Sequence, residues 1–145
     1  MIEVIYPQIL VIHVASALML IGLVVYSDVY GMSWIHGARE TLDTHRIDSL
    51  HTYVWYGIGT MIVTGALLFY PYQSFFLHSP AFLIKMVFVA TIILNGYAIG
   101  TLKSVASEKP FRETVWVERI PLLVSGTIST VSWTGVVIAS FYIGL

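Results

Sequence analysis

Four long apolar runs dominate the chain, and shorter polar segments separate them. Each run holds roughly the 20 residues that an α-helix needs to cross a bilayer. The pattern predicts an all-α fold: an integral membrane bundle of four helices in up-down-up-down order, with the whole chain 1–145 as one domain. The predicted spans, here called spans 1 to 4, cover residues 7–30, 51–70, 81–101 and 115–143.

Span 1 carries two polar residues that are unfavourable against lipid. His13 and Asp28 are separated by 15 positions, which places them within about 60° of each other around a helix axis. A charged group that faces hydrocarbon costs several kcal/mol. We therefore expect this stripe of span 1 to face other helices or a cavity.

The polar connections predict where helices begin and end. The spacing of apolar residues within 31–50 suggests a short interfacial helix in this connection. Pro71 is expected to close span 2 and to be followed by an uncharged aromatic turn. Ser79 and Pro80 are typical of a helix start, as N-cap and first helical residue.

Composition agrees with a membrane protein and excludes several functions. Hydrophobic residues make up 57% of the chain and charged residues 10%, against about 25% charged residues in soluble domains. The absence of cysteine excludes disulfides, thiolate metal sites and cysteine nucleophiles. With a formal net charge of −1 and no basic tract, nucleic acid is not an expected partner. The first apolar run is interpreted as a permanent span and not as a signal peptide.

Charge predicts the orientation in the membrane. All but one of the lysines and arginines lie in loops 31–50 and 102–114 or just inside span 4, and the exception is Lys85 in span 3. The positive-inside rule therefore places these two loops in the cytoplasm and both termini outside. We expect the protein to lie in the cytoplasmic membrane of a bacterium or archaeon, with lipid as its first partner and a homo-oligomer as a further option.

Small and hydroxylated residues form stripes that are typical of helix packing seams. On span 2 the stripe contains Gly57, Thr60 and Thr64. On span 4 it contains Ser125, Ser129, Ser132, Val136 and Ser140.

His13 and Lys85 are the candidate cofactor-binding residues. Both lie in the half of the bundle nearer the termini, because spans 1 and 3 enter the membrane from that side. Neutral imidazole is a common haem ligand, so His13 is a candidate metal ligand and Lys85 a second axial ligand or a partner of a propionate. Alternatively, His13 is a hydrogen-bonded core residue and Lys85 extends back to the interface.

For Asp28, His51 and Asn95 we expect either a structural role or a role in a polar relay. Asp28 is expected to pair with Arg46, Arg119 or Lys103, or to hydrogen-bond His51 or Tyr53. Asn95 can bond across a helix interface, and beside it Gly96 allows a backbone or a flat ligand to approach. His78, in the connection between spans 2 and 3, could fold over the site of His13 and Lys85. A metal site is also conceivable in the charged loop, although its residues match no compact ligand motif: His36, Asp43, His45, Asp48 and His51.

The histidine of span 1 and the lysine of span 3 also carry a family resemblance. A four-span chain with His13 and Lys85 at these places resembles the HemJ-type membrane protoporphyrinogen oxidases and their copper-resistance-D-like relatives. The resemblance implies a four-helix bundle that holds a b-type haem at these two residues. The chain is similar as well to small bacterial membrane proteins of unknown activity, through segments 55–65, 82–85 and 94–96.

Three functions follow as hypotheses. The first is a haem-binding redox protein. Its most specific version is a membrane oxidoreductase, for which the sequence indicates neither the electron donor nor the substrate. The second is a small transporter or channel for protons or a small anion, with His13 and Asp28 as a relay and Lys85 as the attracting charge. The third is a structural or accessory membrane subunit.

Overall fold

The computed structural model describes the backbone of residues 2–143 and the side chains of residues 5–143. Within this part the chain is helical and has no strand. Four of its helices are long and apolar enough to cross a membrane, which confirms the predicted four-helix membrane protein. The α-helices are α1 (Ile2–Ile35), α2 (Thr44–Phe69), α3 (Gln73–Leu77), α4 (Pro80–Glu108) and α5 (Trp116–Tyr142), and single 3₁₀ turns cover Tyr70–Tyr72 and Phe111–Glu113.

The predicted interfacial helix within residues 31–50 does not form. Instead, α1 continues to Ile35, and α2 begins at Thr44. Gly37, with a φ of 74°, takes the left-handed conformation that commonly ends a helix. At the start of α2 the Asp43 carboxylate accepts the backbone N–H of Arg46 at 2.7 Å. With Gly37 after the end of α1 and Asp43 before the start of α2, both helices are longer than predicted and only a short loop lies between them.

The connection between spans 2 and 3 is more helical than expected. Pro71 lies within a 3₁₀ turn, and α3 follows it directly, so the predicted aromatic turn is two short helical pieces. The predicted start of the third span is confirmed. The Ser79 hydroxyl accepts the N–H of Phe82 at 3.4 Å, and Pro80 is the first residue of α4.

Two helical hairpins make up the bundle, α1 with α2 and α4 with α5. In the first, Gly57 lies so close to Leu20 that a β-carbon on the glycine would be 2.6 Å from a leucine methyl. In the second, a β-carbon on Gly135 would be 2.5 Å from the Phe88 ring. Glycine therefore permits close contact within each hairpin, as small residues do between membrane helices.

An apolar layer joins the two hairpins near mid-height. Leu20, Ile58 and Ile92, from α1, α2 and α4, are each less than a tenth exposed and contact one another. Trp133 of α5 packs against this layer. Buried side chains are few beyond it, because most of the surface of a four-helix membrane bundle faces lipid.

The predicted packing seams are confirmed in part. Ser125, Ser129 and Ser132 are buried on α5, and Thr64 is buried on α2. Two members of the stripes, Thr60 and Ser140, are instead exposed and donate to carbonyls of their own helices.

We call the end of the bundle with loops 36–43 and 109–115 the charged end. Tyr30, Trp34 and Leu42 are buried there against Ala106 of α4. The Leu42 N–H donates to the Ala106 carbonyl at 2.9 Å, and the Trp34 indole donates to the Lys109 carbonyl at 3.0 Å. These bonds attach the first hairpin to the second at this end.

Candidate functional site

A cavity of about 220 Å³ lies between the two hairpins, on the charged-end side of the apolar layer. All four long helices contribute to its wall, which is mostly apolar. We call it the inter-hairpin cavity. Its polar and aromatic lining includes Ser27, Asp28, His51, Trp55, Asn95, Lys103, Ser129 and Trp133.

Asp28 places a carboxylate at the wall of this cavity. The side chain is half-buried, and it makes no hydrogen bond or ion pair within the described part of the chain. A carboxylate in such a site costs free energy unless water, a proton or a cation meets it. Asp28 is therefore the group in the cavity that most needs a ligand.

The partners that we expected for Asp28 are engaged elsewhere. Lys103 pairs with Asp48 at 2.6 Å. Arg119 donates to the Thr114 hydroxyl and to two loop carbonyls, and the guanidinium of Arg46 lies over a tyrosine ring. His51 bonds within α2 or to α4, and no bond joins Tyr53 to Asp28 among the described residues. The expected pairing of Asp28 therefore does not occur.

His51 faces the cavity from the start of α2, where one ring nitrogen has two neighbours. Its Nε2 lies 3.2 Å from the carbonyl oxygen of Gly96 and 3.3 Å from Nε1 of Trp55. With a proton on Nε2 the ring donates to the carbonyl, and without it the ring accepts the indole N–H. Each tautomer of the neutral His51 ring thus has one partner at Nε2.

Two glycines of α4 make room for these rings. A β-carbon at Gly96 would lie 3.2 Å from the Trp55 indole, and one at Gly100 would lie 3.2 Å from the His51 ring. Their spacing of four residues puts them on one face of α4. We expected a neighbouring backbone or a flat ligand at Gly96, and the structure places the Trp55 side chain there instead.

Asn95 is buried and joins α4 to α5. Its amide nitrogen donates to the Ser125 carbonyl at 2.9 Å, and its amide oxygen accepts from the Ser125 hydroxyl at 2.8 Å. This reciprocal pair agrees with the predicted bonding of Asn95 across a helix interface. It satisfies the amide, so Asn95 has a structural role at the edge of the cavity.

His13 faces α2 from the half of the bundle away from the cavity. Its Nδ1 lies 2.7 Å from the Thr64 hydroxyl, whose oxygen lies 2.7 Å from the Thr60 carbonyl. Because a hydroxyl has a single proton, donation to Thr60 makes Thr64 the acceptor of an Nδ1–H. His13 then keeps the lone pair of Nε2, the arrangement typical of metal-binding histidines.

Lys85 lies on the inward face of α4, about two helical turns before the buried Ile92. It is half-buried and has no hydrogen bond or ion pair with the side chains of residues 5–143. Neither His13 nor Lys85 lines the inter-hairpin cavity.

The remaining histidines of the described chain do not cluster with one another. His36 and His78 are exposed and contact carbonyls one turn earlier in their own helical segments, those of Met32 and Ser74. His78 therefore does not fold over the His13 region. Among the described residues, no group of three or more histidine, aspartate or glutamate side chains is placed to hold a metal ion.

Trp133, which lines the cavity, and Gly100, which lies against the His51 ring, are residues that we did not single out from the sequence. The signal for Gly100 is its spacing from Gly96, the small-xxx-small pattern of membrane helix contacts. Nothing in the sequence marks Trp133, because a tryptophan in a membrane span contacts lipid as readily as another helix.

Comparison with models of protein families, with curated proteins and with solved structures finds no match to this chain. The class of this protein therefore rests on its fold and on the residues that line the inter-hairpin cavity. The protein is a four-helix integral membrane protein, with a small, mostly apolar cavity between two hairpins and a carboxylate in the cavity wall.

Proposed function

We propose that this protein is a small membrane transporter in which Asp28 binds a proton or a small cation inside the inter-hairpin cavity. The observation that carries the proposal is the Asp28 carboxylate, which reaches the cavity without a partner in the described chain. Ionisable residues within membrane helices are rare and commonly mark ion pathways or proton relays. An accessory subunit that needs only packing gains nothing from such a residue.

The size of the cavity favours a small species. At about 220 Å³ it has room for several water molecules, each of which occupies about 30 Å³ in liquid water. Pockets for drug-sized ligands measure roughly 300–1,000 Å³. A hydrated proton or a small cation fits the available space, and the carboxylate supplies the opposite charge.

The apolar layer of Leu20, Ile58 and Ile92 favours a transporter over an open channel. It lies between the level of Asp28 and that of His13, which are roughly 22 Å apart along α1. These three side chains are apolar and buried, so they oppose the passage of a charged species at this level. Transfer from one level to the other therefore requires the hairpins to separate at the layer, as in transporters that alternate access.

Proton flux in reconstituted vesicles tests the proposal. The wild-type protein should acidify or alkalise the vesicle interior when a potential is imposed, and Asp28→Asn should reduce the rate to that of protein-free vesicles. The same variant should melt at an equal or higher temperature, because a neutral amide costs less in this site than an unpaired carboxylate. Glu40→Gln is the matched control, since Glu40 is exposed at the charged end and lies 3.6 Å from Arg112.

Two results would contradict the proposal. One is an Asp28→Asn flux equal to that of the wild type, and the other is the absence of flux for protons and for small monovalent cations in the wild type. Flux of a small anion that depends on Lys85 would also contradict it, because it would place the transport site at Lys85 and not at Asp28.

A b-type haem at His13 is the second candidate, as the resemblance to HemJ-type proteins implies. The observation that favours it is the His13–Thr64 bond. This bond engages Nδ1–H and leaves the lone pair of Nε2 available to bind a metal. Imidazole suits haem iron, and the Lys85 ammonium suits a propionate. The nitrogen donors suit haem, but the inter-hairpin cavity does not reach either residue and is small for a macrocycle.

A visible absorption spectrum of the purified protein, before and after dithionite, tests this second candidate. Haem bound at His13 gives a Soret band that shifts on reduction and disappears in His13→Ala. An unchanged band in that variant, or a featureless spectrum after haem is supplied, would remove the assignment. A colourless protein that also fails the flux test would be assigned a structural or accessory role.

A further inference from the structure

Two arginines meet on one buried tyrosine at the charged end. The guanidinium carbons of Arg39 and Arg46 lie 5.2 Å and 5.4 Å from the centroid of the Tyr30 ring. Tyr30 is 7% exposed, and its hydroxyl accepts the backbone N–H of Asp43 at 3.0 Å, so the ring is held in place. The aromatic ring attracts each cation, and both arginines line the same surface cavity.

Neither arginine has an acidic partner in the described chain. The ion pairs at this end are Lys103–Asp48, Lys109–Glu118 and the contacts of Arg112 with two glutamates. Glu40, next to Arg39, contacts Arg112, and Asp48, two residues after Arg46, pairs with Lys103. The Asp43 carboxylate caps α2 by accepting the backbone N–H of Arg46. Two like charges on one ring repel each other, and an anion between them would offset that repulsion.

The surroundings of the two arginines suit a phosphate group. A surface cavity of about 500 Å³ is lined by both arginines, Tyr30, Asp43, His45 and Ser49. Guanidinium groups bind phosphate through paired N–H donors, and a serine hydroxyl or a histidine ring can add further bonds. The first turn of α2 contributes the positive end of its dipole to the same place.

The position at the membrane surface favours a lipid over a soluble phosphate. Tyr26, one turn earlier on α1, is about half exposed and stacks on Tyr30, with ring centroids 6.5 Å apart. Val29, beside Tyr30, is 63% exposed. A headgroup at the arginines would thus have an apolar helix surface beside it, toward the membrane, for its acyl chains.

We propose that Arg39 and Arg46 form a binding site for the phosphate headgroup of an anionic membrane lipid. The proposal rests on the paired guanidinium groups over Tyr30 and on the cavity between them, and it is independent of transport at Asp28. It predicts that the charged end selects anionic over zwitterionic lipid through two defined side chains, and not through net charge.

Native mass spectrometry of the full-length protein in neutral detergent tests the site. Phosphatidylglycerol should give a bound species at lower concentration than phosphatidylcholine with the same acyl chains. Arg39→Gln and Arg46→Gln should each weaken phosphatidylglycerol binding by about fivefold. Arg112→Gln is the control, because Arg112 is an exposed arginine at the same end that contacts glutamates instead.

Melting temperatures of the variants show whether each one is folded, and only folded variants are compared. Binding that is unchanged in the double variant Arg39→Gln, Arg46→Gln overturns the site. Equal binding of phosphatidylcholine overturns the selection of an anionic headgroup. Competition by glycerol 3-phosphate at the concentrations where the lipid binds would assign the site to a soluble phosphate and overturn the lipid.

Discussion

Polar side chains inside this bundle differ in whether they have partners. Asn95 and Ser125 satisfy each other between α4 and α5, and His13 is bonded to Thr64 between α1 and α2. Asp28 has no partner in the described chain and lines a cavity instead. In lipid, a satisfied polar pair holds helices together, whereas an unsatisfied charged group raises the free energy of the fold unless it serves a ligand.

The Asn95–Ser125 pair can be tested by truncation. Asn95→Ala removes both bonds and leaves the buried Ser125 hydroxyl without its acceptor, so it should lower the free energy of unfolding by about 1 kcal/mol. The measurement is a thermal or SDS unfolding curve in detergent. Thr127→Ala is the control, because Thr127 is exposed on α5 and bonds only to Leu123 of its own helix. Equal curves for Asn95→Ala and the wild type would contradict the structural role of the pair.

The helices associate in pairs, and glycine positions decide how closely. At Gly135 an added β-carbon would meet the Phe88 ring at 2.5 Å, whereas at Gly126 of the same helix nothing lies within 4 Å. Gly135 therefore belongs to a helix contact, and Gly126 faces outward. The two positions look alike in the sequence, and only the rotation of α5 distinguishes them.

Alanine at these two glycines should have opposite effects. Gly135→Ala forces Phe88 out of its place and should cost about 1–3 kcal/mol of unfolding free energy. Gly126→Ala meets open space and should be neutral or stabilising by up to about 1 kcal/mol, because alanine favours helix. Unfolding curves of the two variants in one detergent make the comparison. Destabilisation by both alanines would indicate that Gly126 also lies in a contact, for example between protein copies.

Within the whole molecule, both proposed binding sites lie toward the charged end. The inter-hairpin cavity lies on this side of the apolar layer, the arginine pair lies at the surface, and every lysine and arginine except Lys85 lies in or near the loops of this end. The apolar layer separates this half from the His13 region. The two halves can therefore be tested separately, by flux and lipid binding for one and by absorbance for the other.

The orientation of the bundle stays a prediction of the positive-inside rule. It can be measured directly, because the chain has no native cysteine. Ala38→Cys lies in the charged-end loop, and Ser74→Cys lies in α3 at the other end. In intact cells a membrane-impermeant maleimide should label Cys at position 74 and not at position 38 until the cells are opened. The reverse pattern would invert the predicted topology.

The sequence by itself determined the number of membrane helices, the helix start at Ser79 and Pro80, and the inward side of the His13–Asp28 stripe. These are local properties, because hydrophobic length, capping chemistry and the helical repeat each depend on residues close together in the sequence. The extent of α1 and α2 around loop 36–43 departed from the expectation: α1 continues to Ile35, α2 begins at Thr44, and Leu42 of the short loop packs against Ala106 of α4.

Only the tertiary structure decided which polar groups meet. It left Asp28 at a cavity instead of an ion pair, placed Trp55 against Gly96, and brought Arg39 and Arg46 onto Tyr30. Each of these contacts joins residues from different helices or loops. Their distances depend on how the helices rotate and cross, and many arrangements satisfy the same hydrophobic pattern, so side-chain packing has to choose among them.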